Sequence, residues 1–490
     1  MTPGRRGAIW YDASRAGLAA RISQHPQPMN APSLVPATPG SEPPSLARAR
    51  RVRVLFINDT ARNGGPGRSL HSILKFLDPE VVHRAVVLPR EGAIADLLRR
   101  DGVADELRFE SNLVENPIEP WHRQMERRDF DAAVPLKVAR LCGNLVKATR
   151  AMARLASLVR EGRFDLIYCN GTNADFAGAL LARMTGVPAL WHVRYTSIPP
   201  VVAGLHRWLS AGDGVRRIVC VSRSAAALFS HCPEKVRVIH NALDVGAFDP
   251  AGVVGTLRAE LGLPPGALVF GSHGRVLRRK GYVEMIKAAR LALDALTPDE
   301  RQRMAFAVAG DTPEDYRPDH VDECRKLVAD LGMERQFWML GFRADVRPVV
   351  ADFDVAVVPS VYADPLPRAV IESMAMSKPV IAFAVGGVVE MVDAQTGELV
   401  AFEPSPTGRE SAASEAAIAR LAAAFVRYVR DPALRSRQGV AGRARVLLDF
   451  DARVHAVRIE REIVFAAGLA PRAPQAPRAP RPALPRAEGR

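Results

Sequence analysis

Short apolar runs alternate with amphipathic stretches along most of the chain. Arg51 to Asn58, Ala85 to Leu88, Phe164 to Asn170, Pro188 to Arg194 and Arg217 to Ser222 read as strands buried on both faces. Helical periodicity separates them at Ser69 to Leu77, Ala93 to Arg100, Leu136 to Arg160 and Gly171 to Met184. After residue 266 the same alternation starts again. Ala267 to Gly271, Met304 to Ala309, Phe337 to Leu340, Asp354 to Val358 and Pro379 to Phe383 read as strands, with helices at Tyr282 to Leu293 and Pro367 to Met376. Helices Ser411 to Arg430, Pro432 to Leu448 and Ala452 to Ala466 close the pattern. Strand and helix alternating in this way predict parallel sheets covered by helices, and two series of them predict two domains.

The pattern fails at both ends, where Pro, Ala and Arg dominate, and residues 1–50 and 467–490 are expected to be disordered tails. Between them the expected divisions are 51–245, 246–448 and a last helix at 449–466 that crosses back to the first domain. Residues 242–266 read as a Gly/Pro-punctuated linker.

Charge changes the picture less than its total suggests. The formal net charge is +14, but residues 1–51 hold seven Arg against two acids and residues 466–490 five against one, leaving about +5 for the body. The excess therefore sits in the tails, and no nucleic-acid motif accompanies it. Five scattered cysteines, without metal spacing, read as free thiols of a reducing compartment. With no apolar core behind Arg5 and Arg6 and no run of 18 apolar residues, the expectation is a cytoplasmic protein.

One helix suggests more. In Leu136 to Arg160, Val138, Leu141, Leu145, Met152, Leu155 and Val159 form a stripe, with Lys137, Arg140, Lys147, Arg150 and Arg154 on the other side. The stripe is what a domain core needs. The basic side could instead meet an anionic membrane surface, which makes peripheral contact a possibility.

Candidate chemistry clusters at strand ends. Asp364 stands on the loop after the strand ending at Val358, and Glu372 follows eight residues later on a short helix. Two such acids can accept hydrogen bonds from a polyhydroxylated ligand. The helix N-terminus, near Leu366 and Arg368, offers free amides to an anion. Gly274, Arg275 and Lys280 follow another strand, where a glycine permits close approach and fixed cations suit a diphosphate. In the first half, Gly64 and Gly65 follow the first strand, and His192 and Arg194 end a later one. Asp352 and Asp354 look like a metal-binding Asp-x-Asp pair. That reading is rejected because Asp354 opens a buried strand.

The words around these residues resemble those of family 4 glycosyltransferases, the retaining, nucleotide-sugar-dependent type with two Rossmann-like domains (GT-B). Val-Val-Pro-Ser precedes Asp364, and Glu372 is followed by Ser-Met-Ala-Met-Ser-Lys-Pro-Val-Ile-Ala. Gly274-Arg275 precedes Lys280-Gly281, Asn241-Ala-Leu-Asp244 stands where the family has its linker word, and Gly386-Gly387 precedes Glu390. The family's usual first acid is Glu; this chain has Asp364.

The resemblance implies an α/β, GT-B fold of two Rossmann-like domains facing each other across a cleft, and a donor held mainly by the second. It assigns Arg275 and Lys280, with Gly274, to the diphosphate, Glu372 to the ribose and Asp364 to the transferred sugar. Leu366, Arg368, Gly387 and Glu390 would complete the donor pocket, and His192 would lie near the reacting centre. Gly64, Gly65 and Arg194 would face the acceptor, with residues 111–135 as a candidate acceptor loop. No cofactor or metal is implied; the partners are a nucleotide-diphosphate sugar and a glycan or lipid-linked acceptor, with no nucleic acid. The alternatives are a nucleotide-sugar-binding scaffold of the same fold and an epimerase-like enzyme.

Overall fold

The computed structural model describes residues 50–61, 64–113, 134–312, 319–403 and 413–469. Nearly all of both expected tails and most of the candidate acceptor loop lie outside them.

The first sheet has seven strands: β1 (Val52–Asn58), β2 (Val82–Leu88), β3 (Glu106–Phe109), β4 (Leu166–Asn170), β5 (Ala189–Val193), β6 (Val215–Cys220) and β7 (Val236–Val238). Their order is β3-β2-β1-β4-β5-β6-β7, and every pairing is parallel. The second sheet has six: β8 (Leu268–His273), β9 (Met304–Ala309), β10 (Phe337–Met339), β11 (Val355–Val358), β12 (Val380–Phe383) and β13 (Gly397–Val400). They run β10-β9-β8-β11-β12-β13, again all parallel.

Each sheet reverses its strand order at the first strand of its series, between β1 and β4 and between β8 and β11. Open α/β sheets bind ligands at the carboxyl ends of the strands beside such a reversal. In the first sheet this edge carries Asn58, Asn170 and His192 in adjacent register. In the second it carries His273, with the loop leading to Asp364 after β11.

Helices cover both faces, and the strands read as continuous apolar runs because both faces are buried. Leu55, Ile57, Ile167, Trp191 and Ile218 belong to one core of the first sheet, and Val54, Phe56, Leu166 and Val219 to the other. The helix Ala452–Ala466 adds Ile459, Ile463 and Val464 to that second core. Outgoing and returning chain cross side by side, since Leu243 N–H donates to Phe450 O and Ala452 N–H to Leu243 O, both at 2.9 Å.

Two expectations need correction. The segment read as a linker folds onto the second domain from Leu257 onward: Leu257 is fully buried, and Arg258 pairs with Asp354 at 2.6 Å. The long helix runs Val134–Glu161, but among its described side chains only those of the carboxyl half are buried. Leu155 and Val159 are buried, whereas Val138 is 45% exposed and Leu145 52%. The stripe finds a core only where the sheet lies beneath it.

Candidate active site

Two loops of the second domain are fastened together. Gly281 has φ +76° and lies so near Pro359 that an added Cβ would stand 1.8 Å from its carbonyl oxygen. Val361 N–H donates to Arg279 O at 3.0 Å. This docking delivers Lys280 to Asp364: Nζ lies 2.5 Å from Oδ2, which also accepts from the Tyr362 hydroxyl at 2.8 Å. Burial raises the Asp364 carboxyl, but the Lys280 charge and both hydrogen bonds outweigh it and hold the group below its ordinary value. Burial likewise lowers Lys280, and Asp364 and Tyr362 more than reverse it, so the ammonium is raised. Both groups are ionised at neutral pH.

Glu372 is held from two sides. His273 at the end of β8 donates from Nε2 to Oε2 at 2.9 Å, and Arg368, one helical turn back, reaches Oε1 at 3.3 Å. Burial pushes this carboxyl up; the His273 hydrogen bond and the charges of Arg368, His273 and Arg68 bring it down to about 2. Arg368 also donates to Ala242 O at 3.2 Å, tying the short helix Arg368–Ala375 to the chain between the domains. The helix begins one residue later than expected, with Pro367 as its N-cap.

The first domain closes on this cluster. Arg194 donates to Asn170 Oδ1 at 2.9 Å and to Asn241, whose amide donates to Leu366 O at 3.1 Å. Thr196 Oγ1 donates to Ala363 O at 2.6 Å. Burial, joined by the nearby charge of Arg368, lowers the Arg194 guanidinium to about 10. His192 Nδ1 meets the Tyr168 hydroxyl and, at 3.3 Å, Arg194, which has only donors, so that nitrogen accepts. The proton therefore sits on Nε2, a buried donor with no partner among the described residues. Burial and then Arg194 hold this imidazole well below its ordinary value, so it is neutral.

Both halves match known family profiles. Residues 119–246 match the one described as Glycosyltransferase Family 4, and residues 267–423 the one described as Glycosyl transferases group 1. The chain belongs to the family 4 glycosyltransferases of GT-B fold.

Among its relatives is the alpha-maltose-1-phosphate synthase of Mycobacterium tuberculosis, 37% identical over 227 residues, which are 44% of this chain and 54% of that protein. The Escherichia coli UDP-Gal:alpha-D-GlcNAc-diphosphoundecaprenol alpha-1,3-galactosyltransferase is 25% identical over 51% of this chain and 66% of its own length. The chain thus spans roughly half to two thirds of these curated relatives. The fold matches Anabaena HepE, solved with UDP and glucose, at a TM-score of 0.65 and 21% identity over 84% of this chain and 99% of that one.

The structure places the expected residues of this family 4 glycosyltransferase unequally. Lys280 and Asp364 meet directly, as do Arg368 and Glu372, and Leu366 joins them to Arg194 through Asn241. Arg275 is exposed beside Lys280, which feels its charge, and Gly274 has φ +144°. Gly387 serves the same loop differently. Its N–H donates to Asp364 O at 2.8 Å, and a Cβ there would stand 1.8 Å from Pro365 O.

Gly64 and Gly65 begin the helix Gly65–Phe76, and Gly65 has open space where a Cβ would be. Glu390 is not in the donor cluster. Its carboxylate accepts from Arg223 N–H at 2.8 Å, Ser224 N–H at 3.2 Å and His240 at 3.1 Å, all in the first domain. Asp352 and Asp354 are engaged by Arg258 and by the main chain of Val269.

His273 and Arg68 escaped the sequence reading. His273 stands directly before Gly274, and only the tertiary approach of Glu372 gives it a role. Arg68 follows the glycine pair by three residues, and its charge reaches Glu372 from the other domain.

Proposed function

We propose that this chain transfers a sugar, with retention of anomeric configuration and without a metal, from a nucleotide-diphosphate sugar to a glycan or lipid-linked acceptor. The observation that carries this reading is the half-buried Lys280–Asp364 pair at 2.5 Å, on the loop that leads directly into the helix holding the Arg368–Glu372 pair. Two buried, ionised carboxylates are each paired there with a half-buried cation. An arriving diphosphate competes with Asp364 for Lys280. As Lys280 turns to the phosphates, Asp364 is released to accept hydrogen bonds from sugar hydroxyls, and Glu372 is placed for the ribose.

Charge then builds on the departing diphosphate as the glycosidic bond breaks. Lys280 and Arg275 are fixed cations that favour that state over the ground state. His192, neutral with its Nε2 proton unpartnered, offers a hydrogen-bond donor from the first domain. A UDP-sugar is the favoured donor, since the Escherichia coli relative is named for UDP-Gal and HepE was solved with UDP and glucose. The Escherichia coli relative's name also supports the lipid-linked class of acceptor.

The test is a thermal-shift panel of UDP-, GDP- and ADP-sugars, followed by transfer assays with and without a strong chelator. A true donor at a hundred times its dissociation constant stabilises the fold by about 2.7 kcal/mol. Lys280→Ala and Glu372→Ala should each cut transfer about a hundredfold or more while the fold survives. Nucleotide binding with neither transfer nor donor hydrolysis would replace this reading with that of a scaffold. An altered sugar released without acceptor would indicate an epimerase.

A further inference from the structure

The first domain carries an uncovered face that the transfer reading does not use. Three neighbouring helices form it: Val134–Glu161, Thr172–Thr185 and Pro200–Ala211. They are joined at the surface, where Arg160 donates to Met184 O at 2.8 Å and the Arg183 guanidinium lies 4.4 Å from the centre of the Trp208 ring.

In the helix Pro200–Ala211 Leu209 faces the core, but the rest of the distribution is unusual. His206 and Ser210 are buried, while Val201 is 80% exposed, Trp208 53% and Leu205 46%. Met184 and Leu180 are likewise exposed on the next helix, beside Arg183 and Arg160, and Leu145 and Val146 on the long one. Such a run of large exposed apolar side chains marks a contact surface.

Charge decides what it contacts. Lys147, Arg150, Arg154, Arg160, Arg183 and Arg207 are all exposed on these three helices. Of their two acids, Asp175 is fully buried and Glu161 stands at the last position of its helix. Apolar ground studded with cations, and nearly free of exposed acid, complements an anionic bilayer, where aromatic and aliphatic groups enter the interface and Lys and Arg meet phosphates. A protein partner of ordinary composition would leave most of those cations unpaired.

Position agrees. Thr196, which donates to Ala363 O beside Asp364, precedes Val201 by five residues, and five residues span at most about 18 Å. A bilayer under this face would therefore lie close to the mouth of the crevice.

We propose that these three helices dock the protein on an anionic lipid bilayer, whatever its transfer chemistry proves to be. The test uses the full chain, tails included, in flotation assays with phosphatidylcholine vesicles containing or lacking phosphatidylglycerol. Wild-type protein should float only with the anionic vesicles, and less of it as salt rises. Leu205→Ser with Trp208→Ser, and separately Arg150→Glu with Lys147→Glu, should each lower the partition about tenfold or more at unchanged thermal stability.

Equal flotation on neutral and anionic vesicles, or none on either, would overturn the proposal. So would undiminished binding by both double variants, which would assign the attraction to the basic tails. A wild-type dimer that Leu205→Ser with Trp208→Ser dissociates, without vesicle binding, would identify a second copy as the occupant instead.

Discussion

His273 shows how much of the site depends on a single imidazole. Glu372 is 5% exposed and ionised, and a buried carboxylate needs its partners. Arg368 and the charge of Arg68 remain if His273 is removed. Hydrogen bonds to charged groups contribute about 1.5–3 kcal/mol, so His273→Ala should destabilise the fold by about that amount. Its functional signature should be a raised donor KM with kcat less affected, because Glu372 is positioned for a ground-state contact with the ribose. Asn at the same place keeps a donor and should recover part of the loss. Unchanged KM in His273→Ala would show that Glu372 holds its place without it. The acids and Lys280 were legible in the sequence because their flanking words are specific. His273 was not, since a histidine at a strand end is equally at home bonded to backbone. Glu390 was legible as a residue but not in its role, because what its carboxylate faces is set by a loop 166 residues away.

At the scale of elements, the site is a matter of loops pressed together by glycine. The loop carrying Asp364 is clamped between Gly281 on one side and Gly387 on the other, each with a Cβ position 1.8 Å from a carbonyl oxygen. No rotamer change relieves a clash with backbone, so Gly387→Ala must push the 363–366 loop away. The expected result is a loss of about 1–3 kcal/mol in denaturant unfolding. Donor affinity should fall by more than that loss in global stability implies, because the displaced loop carries Asp364 away from Lys280. Isothermal titration with the identified nucleotide-sugar would measure it, and an affinity equal to wild type would show that the loop adapts freely. The strands were legible because parallel sheets bury both faces and write continuous apolar runs. The helix Pro200–Ala211 was missed for the opposite reason. With Arg207 its one charged residue, and with His206, Leu209 and Ser210 inward while Val201, Leu205 and Trp208 face outward, it shows no charged solvent face by which a surface helix is recognised. Helix Val134–Glu161 was recognised by its apolar stripe, yet among its described side chains only those of the carboxyl half are buried, and periodicity cannot tell where a sheet ends.

At the scale of the whole molecule, Glu390 and Asp175 act in different ways. Glu390 joins the domains by accepting from two backbone N–H groups and His240. Glu390→Ala should loosen closure, visible as a larger radius of gyration in small-angle scattering without donor; identical profiles would mean the remaining contacts suffice. Asp175 governs how folding responds to pH. Its carboxyl is fully buried, accepts from Tyr195 at 3.0 Å, and leaves Oδ1 without a partner among the described residues. Burial, reinforced by Asp59, raises it well above its ordinary value against the opposing pull of Tyr195 and Arg194. The folded chain therefore keeps a proton on Asp175 that the unfolded chain releases above about pH 4. That contribution is full below the unfolded pKa and is lost as pH rises, at about 1.4 kcal/mol per unit, until the folded group itself titrates. Histidines pull the other way. Burial lowers His192 well below its ordinary value and, helped by His231, lowers His206 to about 4. Below about pH 6.5 the unfolded chain takes up protons that these two refuse, so each removes stability as pH falls. Over pH 4.5–6 one proton on Asp175 offsets one of the two on the histidines. Asp175→Asn keeps the shape and the acceptor for Tyr195 but has no proton to lose. Its stability relative to wild type should thus rise with pH by about 1.4 kcal/mol per unit from pH 4.5 upward, measured by urea unfolding at several pH values. The variant should also lose stability more steeply on acidification through pH 6. A difference that stays flat with pH would mean that Asp175 is ionised in the folded chain, and that its charge is met by Arg194.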